Sequence, residues 1–127
     1  MPERILSFTE LRVYQAAFEL QQSVFEASRT FPPEERYALT DQIRRSSRSI
    51  GANIAESWQK RLYVAHFISK LTDADGEQAE TQHWTATALR CGYIARETHD
   101  DWISRCRDIG SMLGKMIAKP DSFCSAP

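Results

Sequence analysis

Three arginines lie within five positions of a segment with helical periodicity, at Arg44, Arg45 and Arg48. On a helix, Arg44 and Arg48 share one line, where a like-charge pair costs an isolated helix about 0.2–0.5 kcal/mol. Arg45 has Asp41 four residues earlier as a local partner, whereas Arg48 meets only Arg44 and Ala52 along its line. Because a guanidinium group suits bidentate contact with phosphate, we interpret the three arginines as candidate nucleic-acid contacts.

A second interpretation of the same arginines involves acidic residues further along the chain. Asp73, Glu77 and Glu80 form a like-charge line on the third predicted helix. This line can neutralise the arginines, either within one subunit or across an interface between subunits. The sequence therefore leaves two interpretations open, pairing with protein acids or binding of an external polyanion such as RNA.

Basic and aromatic residues meet again just after this segment. Lys60 and Arg61 lie between Trp58 and Tyr63. Cations beside aromatic rings are the mixture that binds phosphates and stacks bases, so Lys60 and Arg61 are further candidate nucleic-acid contacts. General burial of aromatic residues favours a different role for Trp58, as an anchor in the core or at an interface.

Two polar residues, Asn53 and Glu56, flank an apolar stripe on the second predicted helix. A buried polar residue in a helical assembly often fixes register by hydrogen bonding. Glu56 can also accept a hydrogen bond from an arginine of a neighbouring subunit. We therefore expect Asn53 and Glu56 to be structural or interface residues.

The chain has no recognisable catalytic or cofactor motif. His66, His83 and His99 do not recur at metal-ligand spacing, so we expect no zinc site. There is no GxSxG sequence, no P-loop and no dinucleotide fingerprint. No pattern joins Cys91 or Cys106 to a histidine and an acid. We expect no catalytic residues, no metal and no cofactor.

The overall composition limits where a polyanion can bind. The 127 residues include 16 Lys and Arg and 17 Asp and Glu, for a net charge of -1, so binding must come from a local patch. The three cysteines form no CxxC pair, which indicates a reducing cytoplasm. No apolar run has the length of a signal peptide or a membrane span, so we expect a cytoplasmic protein without a membrane partner.

Periodicity and breaks divide the chain into four predicted helices joined by short connections. The predicted limits are Thr9 to Arg29, Pro33 to Trp58 with a restart at Thr40, Tyr63 to Gly92, and Thr98 to just before Pro120. Thr9 is the predicted N-cap of the first helix, and Thr98 with Asp101 forms a predicted capping box for the fourth. We expect an all-α, up-down-up-down four-helix bundle over residues 1–119 and a flexible tail over 120–127.

Apolar stripes indicate how these helices pack. The second helix has one narrow stripe of apolar and small residues, composed of Leu39, Ile43, Ser46, Ile50, Ile54 and Ser57. The third helix has a predicted inward line of Phe67, Leu71, Ala74, Gln78, Gln82 and Leu89, and the fourth has one of Trp102, Cys106, Ile109, Leu113, Met116 and Ile117. The first helix has two stripes, one of Leu11, Tyr14, Phe18 and Phe25 and one of Val13, Ala17, Leu20, Val24 and Ala27. A single bundle needs one apolar face, so the additional stripe predicts deep burial or a subunit interface.

The residues match a recognisable pattern along most of the chain. Matching positions in the first two helices are Phe8, Leu11, Val13, Tyr14, Gln15, Ala17, Phe31, Pro32, Glu35, Tyr37, Leu39, Gln42, Arg44, Arg45, Ser49, Ile50, Asn53, Ile54, Ala55 and Glu56. They resemble the bacterial four-helix bundle proteins encoded in intervening sequences of large-subunit ribosomal RNA genes. Two positions differ: Ser57 stands where that family usually has Gly, and Glu77 where it usually has Ser.

This resemblance implies a four-helix bundle that assembles into a ring-like homo-oligomer, commonly a pentamer, without enzyme activity. The family is related to accessory variability determinant proteins of diversity-generating retroelements, which bind nucleic acid and a reverse transcriptase through basic surfaces. RNA or DNA and a reverse transcriptase are therefore the implied partners. We assign structural or interface roles to Tyr14, Tyr37, Asn53, Glu56, Trp58 and Glu80.

The sequence as a whole favours a non-enzymatic accessory or scaffold protein associated with nucleic acid. Repeating the Arg44, Arg45 and Arg48 patch around a ring would turn a weak local cluster into an avid surface for polyanions. The alternative is a protein-protein interaction module. In that case the arginines stabilise the oligomer, an apolar ring surface binds another protein, and no nucleic acid is bound.

Overall fold

Four α-helices dominate the computed structural model, which describes residues 5–124. They are α1 (Arg12–Ser28), α2 (Asp41–Gln59), α3 (Val64–Arg90) and α4 (Arg96–Ala118). The described part of the chain contains no β-strand. The predicted all-α class and the four predicted helices are therefore confirmed.

Short 3-10 and π turns precede, connect or follow these four helices. Three 3-10 turns cover Phe8–Glu10, Pro33–Glu35 and Pro120–Ser122, and one π turn covers Arg36–Thr40. The predicted restart near Thr40 is confirmed, because α2 begins at Asp41. The long third helix ends where Gly92 adopts a left-handed conformation with φ of 80°, which only glycine enters without steric cost.

Both predicted N-caps are wrong. The first turn is capped by Ser7, whose backbone N–H donates to the Glu10 carboxylate at 2.9 Å. This turn precedes α1, so Thr9 lies inside a capping box that begins two residues earlier. The fourth helix begins at Arg96 after an extended Ala95 and has no side-chain cap. Thr98 therefore lies within the first turn of α4, where it cannot cap the helix.

The helices pack side by side around one core. The first helix contacts α2 and α4, and α3 contacts the same two helices. On the α1 side of α2, Arg44 meets Ser28 and Gly51 lies beside Tyr14, so these two helices run antiparallel. On the other side, Arg45 meets Glu80 and Glu56 meets Lys70, so α2 and α3 also run antiparallel.

The narrow stripe of α2 forms the centre of this packing. All six residues of the predicted stripe are buried, which confirms it. The serines are accommodated by local hydrogen bonds, since the Ser57 hydroxyl donates to the Ile54 carbonyl at 2.6 Å. The buried hydroxyl groups of Ser46 and Thr81 also lie within hydrogen-bond distance of each other, 2.9 Å. Small, internally satisfied side chains allow α1 and α3 to approach α2 closely.

The two stripes of α1 have different environments. Val13, Ala17, Leu20 and Val24 are fully buried, so this stripe faces the core. In the other stripe, Tyr14 and Phe25 are half-buried and the Phe18 side chain is 41% exposed. The predicted use of this second stripe at a subunit interface stays a prediction.

The interior line of α3 differs from the predicted line in its second half. Phe67, Leu71, Ala74 and Gln78 are buried as predicted, but Gln82 and Leu89 are only half-buried. The buried positions there are instead Thr81, Thr85 and Ala88. The error has a simple cause, because steps of four and seven residues drift away from the core-facing line that alternating steps of three and four follow.

The chain beyond α4 makes contacts with the bundle. After the turn at Pro120–Ser122, the Phe123 ring stacks on Phe67 with 6.0 Å between the ring centroids. Residues 125–127 of the predicted flexible tail lie outside the described residues. The division into a bundle over residues 1–119 and a separate tail stays a prediction.

Helical glycines provide a test of how closely the helices pack. A Cβ at Gly51 would lie 3.5 Å from the Tyr14 ring, an ordinary contact, and a Cβ at Gly114 would meet nothing within 4 Å. A Cβ at Gly110 would lie 3.1 Å from Gln78 Nε2, which is tight. We expect Gly51→Ala and Gly114→Ala each to stabilise the fold by about 1 kcal/mol. Gly110→Ala should gain less than either, and equal gains in thermal denaturation for all three variants would contradict this packing.

A second test concerns the hydrogen bond between Tyr93 and Glu35, which joins the connections after α3 and α1. The Tyr93 hydroxyl donates to Glu35 at 2.6 Å. This bond, with burial, raises the pKa of Tyr93 from 10.0 to about 12. Because the neutral hydroxyl is favoured in the fold, the stabilisation is complete below the unfolded pKa of 10.0 and is lost as pH rises through about 12.

Absorbance titration of tyrosinate should therefore show one group that ionises near pH 12. Tyr93→Phe should remove this late phase, and Glu35→Gln should move it to lower pH because the carboxylate charge is gone. A late phase that persists unchanged in Glu35→Gln would show that another interaction raises the pKa of Tyr93.

Candidate functional site

Three arginine side chains converge on one aromatic ring at the surface between α1 and α2. The guanidinium carbons of Arg44, Arg48 and Arg29 lie 4.9, 5.6 and 5.9 Å from the centroid of the Phe25 ring. These distances are within the range of cation–π attraction. We call this group, Phe25 with Arg29, Arg44 and Arg48, the arginine cluster.

The position of Arg44 is fixed by a second contact with α1. Its Nε donates to the hydroxyl of Ser28 at 2.8 Å, and this hydroxyl donates to the Phe25 carbonyl at 3.1 Å. Ser28 is 2% exposed, so it cannot move freely. The Arg44 guanidinium is therefore held in place by both a hydrogen bond and an aromatic face before any ligand arrives.

The positive charge of the arginine cluster is only partly offset. Within residues 5–124, neither Arg44 nor Arg48 has a carboxylate at ion-pair distance. Arg29 lies 3.6 Å from Glu26, but both side chains are more than half exposed, and such surface pairs contribute little. Asp41 lines the same shallow depression as Arg44 and Arg48 without forming an ion pair with either.

Arg45 has a different environment from its two neighbours. Its guanidinium binds Glu77 at 3.2 Å and also Glu80, both on α3. These contacts raise the pKa of Arg45, with the Glu77 hydrogen bond as the largest cause. The predicted pairing of Arg45 with Asp41 is wrong, because the Arg45 side chain contacts α3 and not the preceding turn of α2.

The pKa of Glu80 is lowered by one contact within α3 and by one contact from α2. The largest cause is a hydrogen bond from Trp84, whose Nε1 donates to Glu80 at 3.0 Å, and Arg45 lowers it further. The sequence left two interpretations of the arginines open. For Arg45, the structure shows pairing with the acidic residues of α3. The division follows from helix geometry, because Arg45 is about 100° around α2 from Arg44 and faces a different neighbour.

The second basic site, at Lys60 and Arg61, lies at the other end of α2. Trp58 is buried, with 4% exposed, as an anchor in the core would be. Arg61 donates from Nε to the Trp58 carbonyl at 2.7 Å, and its guanidinium carbon lies 3.6 Å from the Trp58 ring centroid. Twelve helical positions separate Lys60 from Arg48, or about 18 Å. The structure therefore does not bring the two basic sites together.

The polar residues of α2 have partners within the chain. Asn53 is half-buried, and its Nδ2 donates to the Ser49 carbonyl at 2.9 Å. Glu56 binds Lys70 at 3.0 Å and is the main cause of the raised pKa of that lysine. The partner of Glu56 in the described structure is thus a lysine of the same chain, whereas an arginine of a neighbouring subunit was expected.

The two tyrosines assigned to structural roles differ in burial. The Tyr14 ring is half-buried against Gly51 and lies 4.9 Å from Phe8 between ring centroids. Tyr37 is 72% exposed, and the Arg36 guanidinium carbon lies 5.4 Å from its ring centroid. Tyr14 therefore contributes to the contact of α1 with α2, while Tyr37 is available at the surface.

Sequence reasoning missed the α1 half of the arginine cluster. Phe25, Ser28 and Arg29 follow the helical spacing of three and four residues, which places them on one face. That spacing was visible, and Phe25 was assigned to one of the two apolar stripes of the first helix. The signal could not identify the partner, because the register between α1 and α2 is set by tertiary packing.

The described residues show neither a metal centre nor an activated thiol. No group of three or more His, Cys, Asp or Glu side chains there could hold a metal ion. Cys106 is buried, and its burial raises the pKa of the thiol to about 12, so it is protonated at neutral pH. Over the same range, no helix is both long enough and apolar enough to cross a membrane.

The fold and the site together define a small four-helix protein with a basic cluster on its α1–α2 face. The sequence model of one family, described as 23S rRNA-intervening sequence protein, matches residues 9–115. The chain belongs to this family, as its sequence pattern predicted. The further relation to accessory variability determinant proteins stays a prediction.

A solved structure supports the same assignment. The chain is similar to the crystal structure of a protein with unknown function from the S23 ribosomal protein family of Bacteroides thetaiotaomicron, with a TM-score of 0.75 and 30% sequence identity. The alignment covers 83% of this chain and 97% of the other. Comparison with curated proteins found no match.

The ion pairs of Arg45 lead to a test of stability. Glu80 has a lower pKa in the fold than its ordinary 4.5, so its contribution is present above that value and is lost as pH falls through the folded pKa. We expect a double-mutant cycle of Arg45→Gln and Glu80→Gln to give a coupling of about 0.5–1 kcal/mol at neutral pH. The coupling should disappear in acid.

Chemical denaturation at neutral and acidic pH measures this coupling. Asp108→Asn on α4 is a matched control, since Asp108 is exposed and forms no ion pair in the described structure. A cycle of Arg45→Gln with Asp108→Asn should give no coupling at either pH, because these two side chains form no ion pair in the described structure. A coupling that is equally large in acid would show that the Arg45 contacts act through packing and not through charge.

Proposed function

We propose that this protein is a non-enzymatic, nucleic-acid-associated accessory or scaffold protein whose arginine cluster contacts phosphate groups. The observation that carries the proposal is the pair Arg44 and Arg48. Both guanidinium groups lie on the Phe25 ring without a carboxylate at ion-pair distance in the described chain. Positive charges gathered in this way gain most from a multivalent anion, and a phosphate backbone is such an anion.

The geometry of Arg44 supports phosphate contact in a second way. Binding normally costs free energy because flexible side chains lose their freedom. Arg44 is already held by Ser28 and Phe25, so less of this cost remains. Its Nε is used in the contact with Ser28, while the two terminal nitrogens of the guanidinium have no hydrogen bond in the described structure.

Arg45 has a supporting role in this proposal. Its charge is offset by Glu77 and Glu80, which would repel a polyanion close to that side chain. We therefore assign phosphate contact to Arg44 and Arg48, with Arg29 beside them. Arg45 itself does not contact phosphate, and its support is limited to an exposed ion pair with α3 that contributes little to stability.

Assembly would increase the strength of such a site. We propose that the four helices form an up-down-up-down bundle that assembles into a ring-like homo-oligomer, a pentamer as in the resemblance, within the cytoplasm. Several copies of the arginine cluster on one ring then bind one nucleic acid with high avidity, although each subunit carries a net charge of -1. The partly exposed Phe18 and Tyr14 of α1 support an interface on that helix.

A second candidate function follows from the same α1 stripe. Phe18 is 41% exposed, and its ring lies 6.2 Å from that of Tyr14. An exposed aromatic pair also suits a protein partner, for which a reverse transcriptase is the class implied by the resemblance. In this alternative the protein is an interaction module and binds no nucleic acid.

Salt dependence of binding tests the leading proposal. We expect the protein to bind structured RNA or duplex DNA in fluorescence anisotropy, with an affinity that falls steeply as salt rises. Arg44→Gln with Arg48→Gln removes two phosphate contacts per subunit, so the salt slope should fall by about 2 for each bound subunit.

Arg45→Gln is the matched control, because it removes a neighbouring arginine whose charge is already offset. It should leave the salt slope nearly unchanged, and light scattering would confirm that every variant keeps its assembly. Absence of binding by the wild type at low salt would contradict the proposal and favour the interaction module. An equal loss in the control would contradict the assignment to Arg44 and Arg48.

A further inference from the structure

The connection between α2 and α3 exposes three consecutive apolar side chains. Leu62, Tyr63 and Val64 are 73%, 60% and 40% exposed. Leu6, at 75%, lies at the same end of the bundle, because the start of α1 is close to the end of its antiparallel neighbour α2. Isolated exposed apolar residues need no explanation, but consecutive ones indicate a surface that another molecule covers.

The backbone of Tyr63 is fixed by hydrogen bonds at the start of α3. Tyr63 is the extended residue that precedes α3, and its carbonyl accepts from the N–H groups of His66 and Phe67, each at 3.0 Å. The Tyr63 ring lies 5.3 Å from the His66 ring. Tyr63 is therefore an aromatic ring on a hydrogen-bonded backbone at a helix end, with more than half of its surface open to solvent.

The charges around Tyr63 are predominantly positive. Lys60 and Arg61 directly precede Leu62, and in the described chain neither is in an ion pair. Lys60 and His66 line one surface depression with Lys70. Glu56, near this end of α2, is already bound to Lys70. It therefore does not offset the charge of Lys60.

Trp58 cannot provide the aromatic surface of this corner. It is 4% exposed, and the Arg61 guanidinium covers its ring at 3.6 Å. Arg61 is in turn fixed by its hydrogen bond to the Trp58 carbonyl. The exposed ring is Tyr63, so of the two aromatic residues that flank Lys60 and Arg61 in the sequence, Tyr63 is the one open to solvent.

We propose that this corner is a binding site for single-stranded nucleic acid, in which Tyr63 stacks on an unpaired base and Lys60 and Arg61 contact the flanking phosphates. Aromatic rings beside cations are the usual way to bind unpaired bases. The inference rests on the proposed function and names the kind of nucleic acid involved. It is a second site, separate from the arginine cluster at the other end of α2.

The observations favour nucleic acid over the other partners with the same needs. Membrane-surface binding relies on an extended apolar helix face, whereas the exposed apolar residues here are three consecutive ones in and beside a turn, with Leu6 at the same end of the bundle. A protein partner would gain from the apolar area, but it would use the cations only where it placed carboxylates against them. A nucleotide strand uses both the ring and the cations, since every base has a flat apolar face and every linkage has a phosphate.

Substitutions at Tyr63 separate stacking from simple apolar contact. We expect Tyr63→Ala and Tyr63→Leu each to weaken binding of a single-stranded oligonucleotide about tenfold in fluorescence anisotropy, as loss of one stacked base does. Tyr63→Phe keeps the ring and should bind like the wild type. Lys60→Gln should lower the salt slope for the single strand by about 1.

Tyr37→Ala is the matched control, because Tyr37 is 72% exposed and precedes α2 whereas Tyr63 follows it. It should leave single-strand affinity unchanged. Duplex binding should depend on Arg44 and Arg48 and not on Tyr63. Tyr37, Arg48, Lys60 and Tyr63 are exposed and Arg44 is half-buried. Circular dichroism would verify that the variants fold.

The outcomes distinguish this inference from the function on which it rests. If the wild type binds duplex and single strand but Tyr63→Ala binds the single strand equally well, the second site is overturned and the arginine cluster stands. Binding of the single strand by Tyr63→Leu at wild-type strength would show apolar contact and also overturn it. If the wild type binds no nucleic acid, or binds anionic vesicles alone, both the second site and the proposed function are overturned.

Discussion

The close packing of α2 between α1 and α3 is the constraint on which the rest of the structure depends. Apart from Trp58 in its last turn, its inward residues are small or β-branched, and the serines among them satisfy their hydroxyl groups locally. A slim helix can have close neighbours on two sides. Polar residues that flank the buried stripe are then directed at α1 on one side and at α3 on the other.

This position of α2 explains why neighbouring arginines have different environments. Arg44 reaches Ser28 and Phe25 on α1, whereas Arg45 reaches Glu77 and Glu80 on α3. One side chain therefore keeps an available charge on an aromatic support, and the next is offset by carboxylates. The same helix carries a second basic group at its far end, where Arg61 lies on Trp58. Charge is thus distributed by the neighbours of α2 and not by its sequence alone.

Much of the fold could be predicted, because burial follows local periodicity. The α2 stripe and the core residues of α4 from Trp102 to Met116 were predicted and are buried. Helix starts were predicted less well. Thr9 and Thr98 were predicted as N-caps, but the N-cap positions in the structure are Ser7 for the first turn and Ala95 for α4. Several residues near a helix start can cap it, and local backbone geometry decides which one does.

The sequence by itself determined the four helices, most of their inward faces, the family and the residue types available for binding anions. These properties depend on neighbours within one helix or on a pattern shared along the chain. Tertiary structure alone decided which arginine is paired, that Phe25 supports Arg44 and Arg48, and that Tyr63 is open while Trp58 is covered. The reason is physical: each of these facts depends on the register and spacing of residues distant in sequence, which packing of the whole core sets.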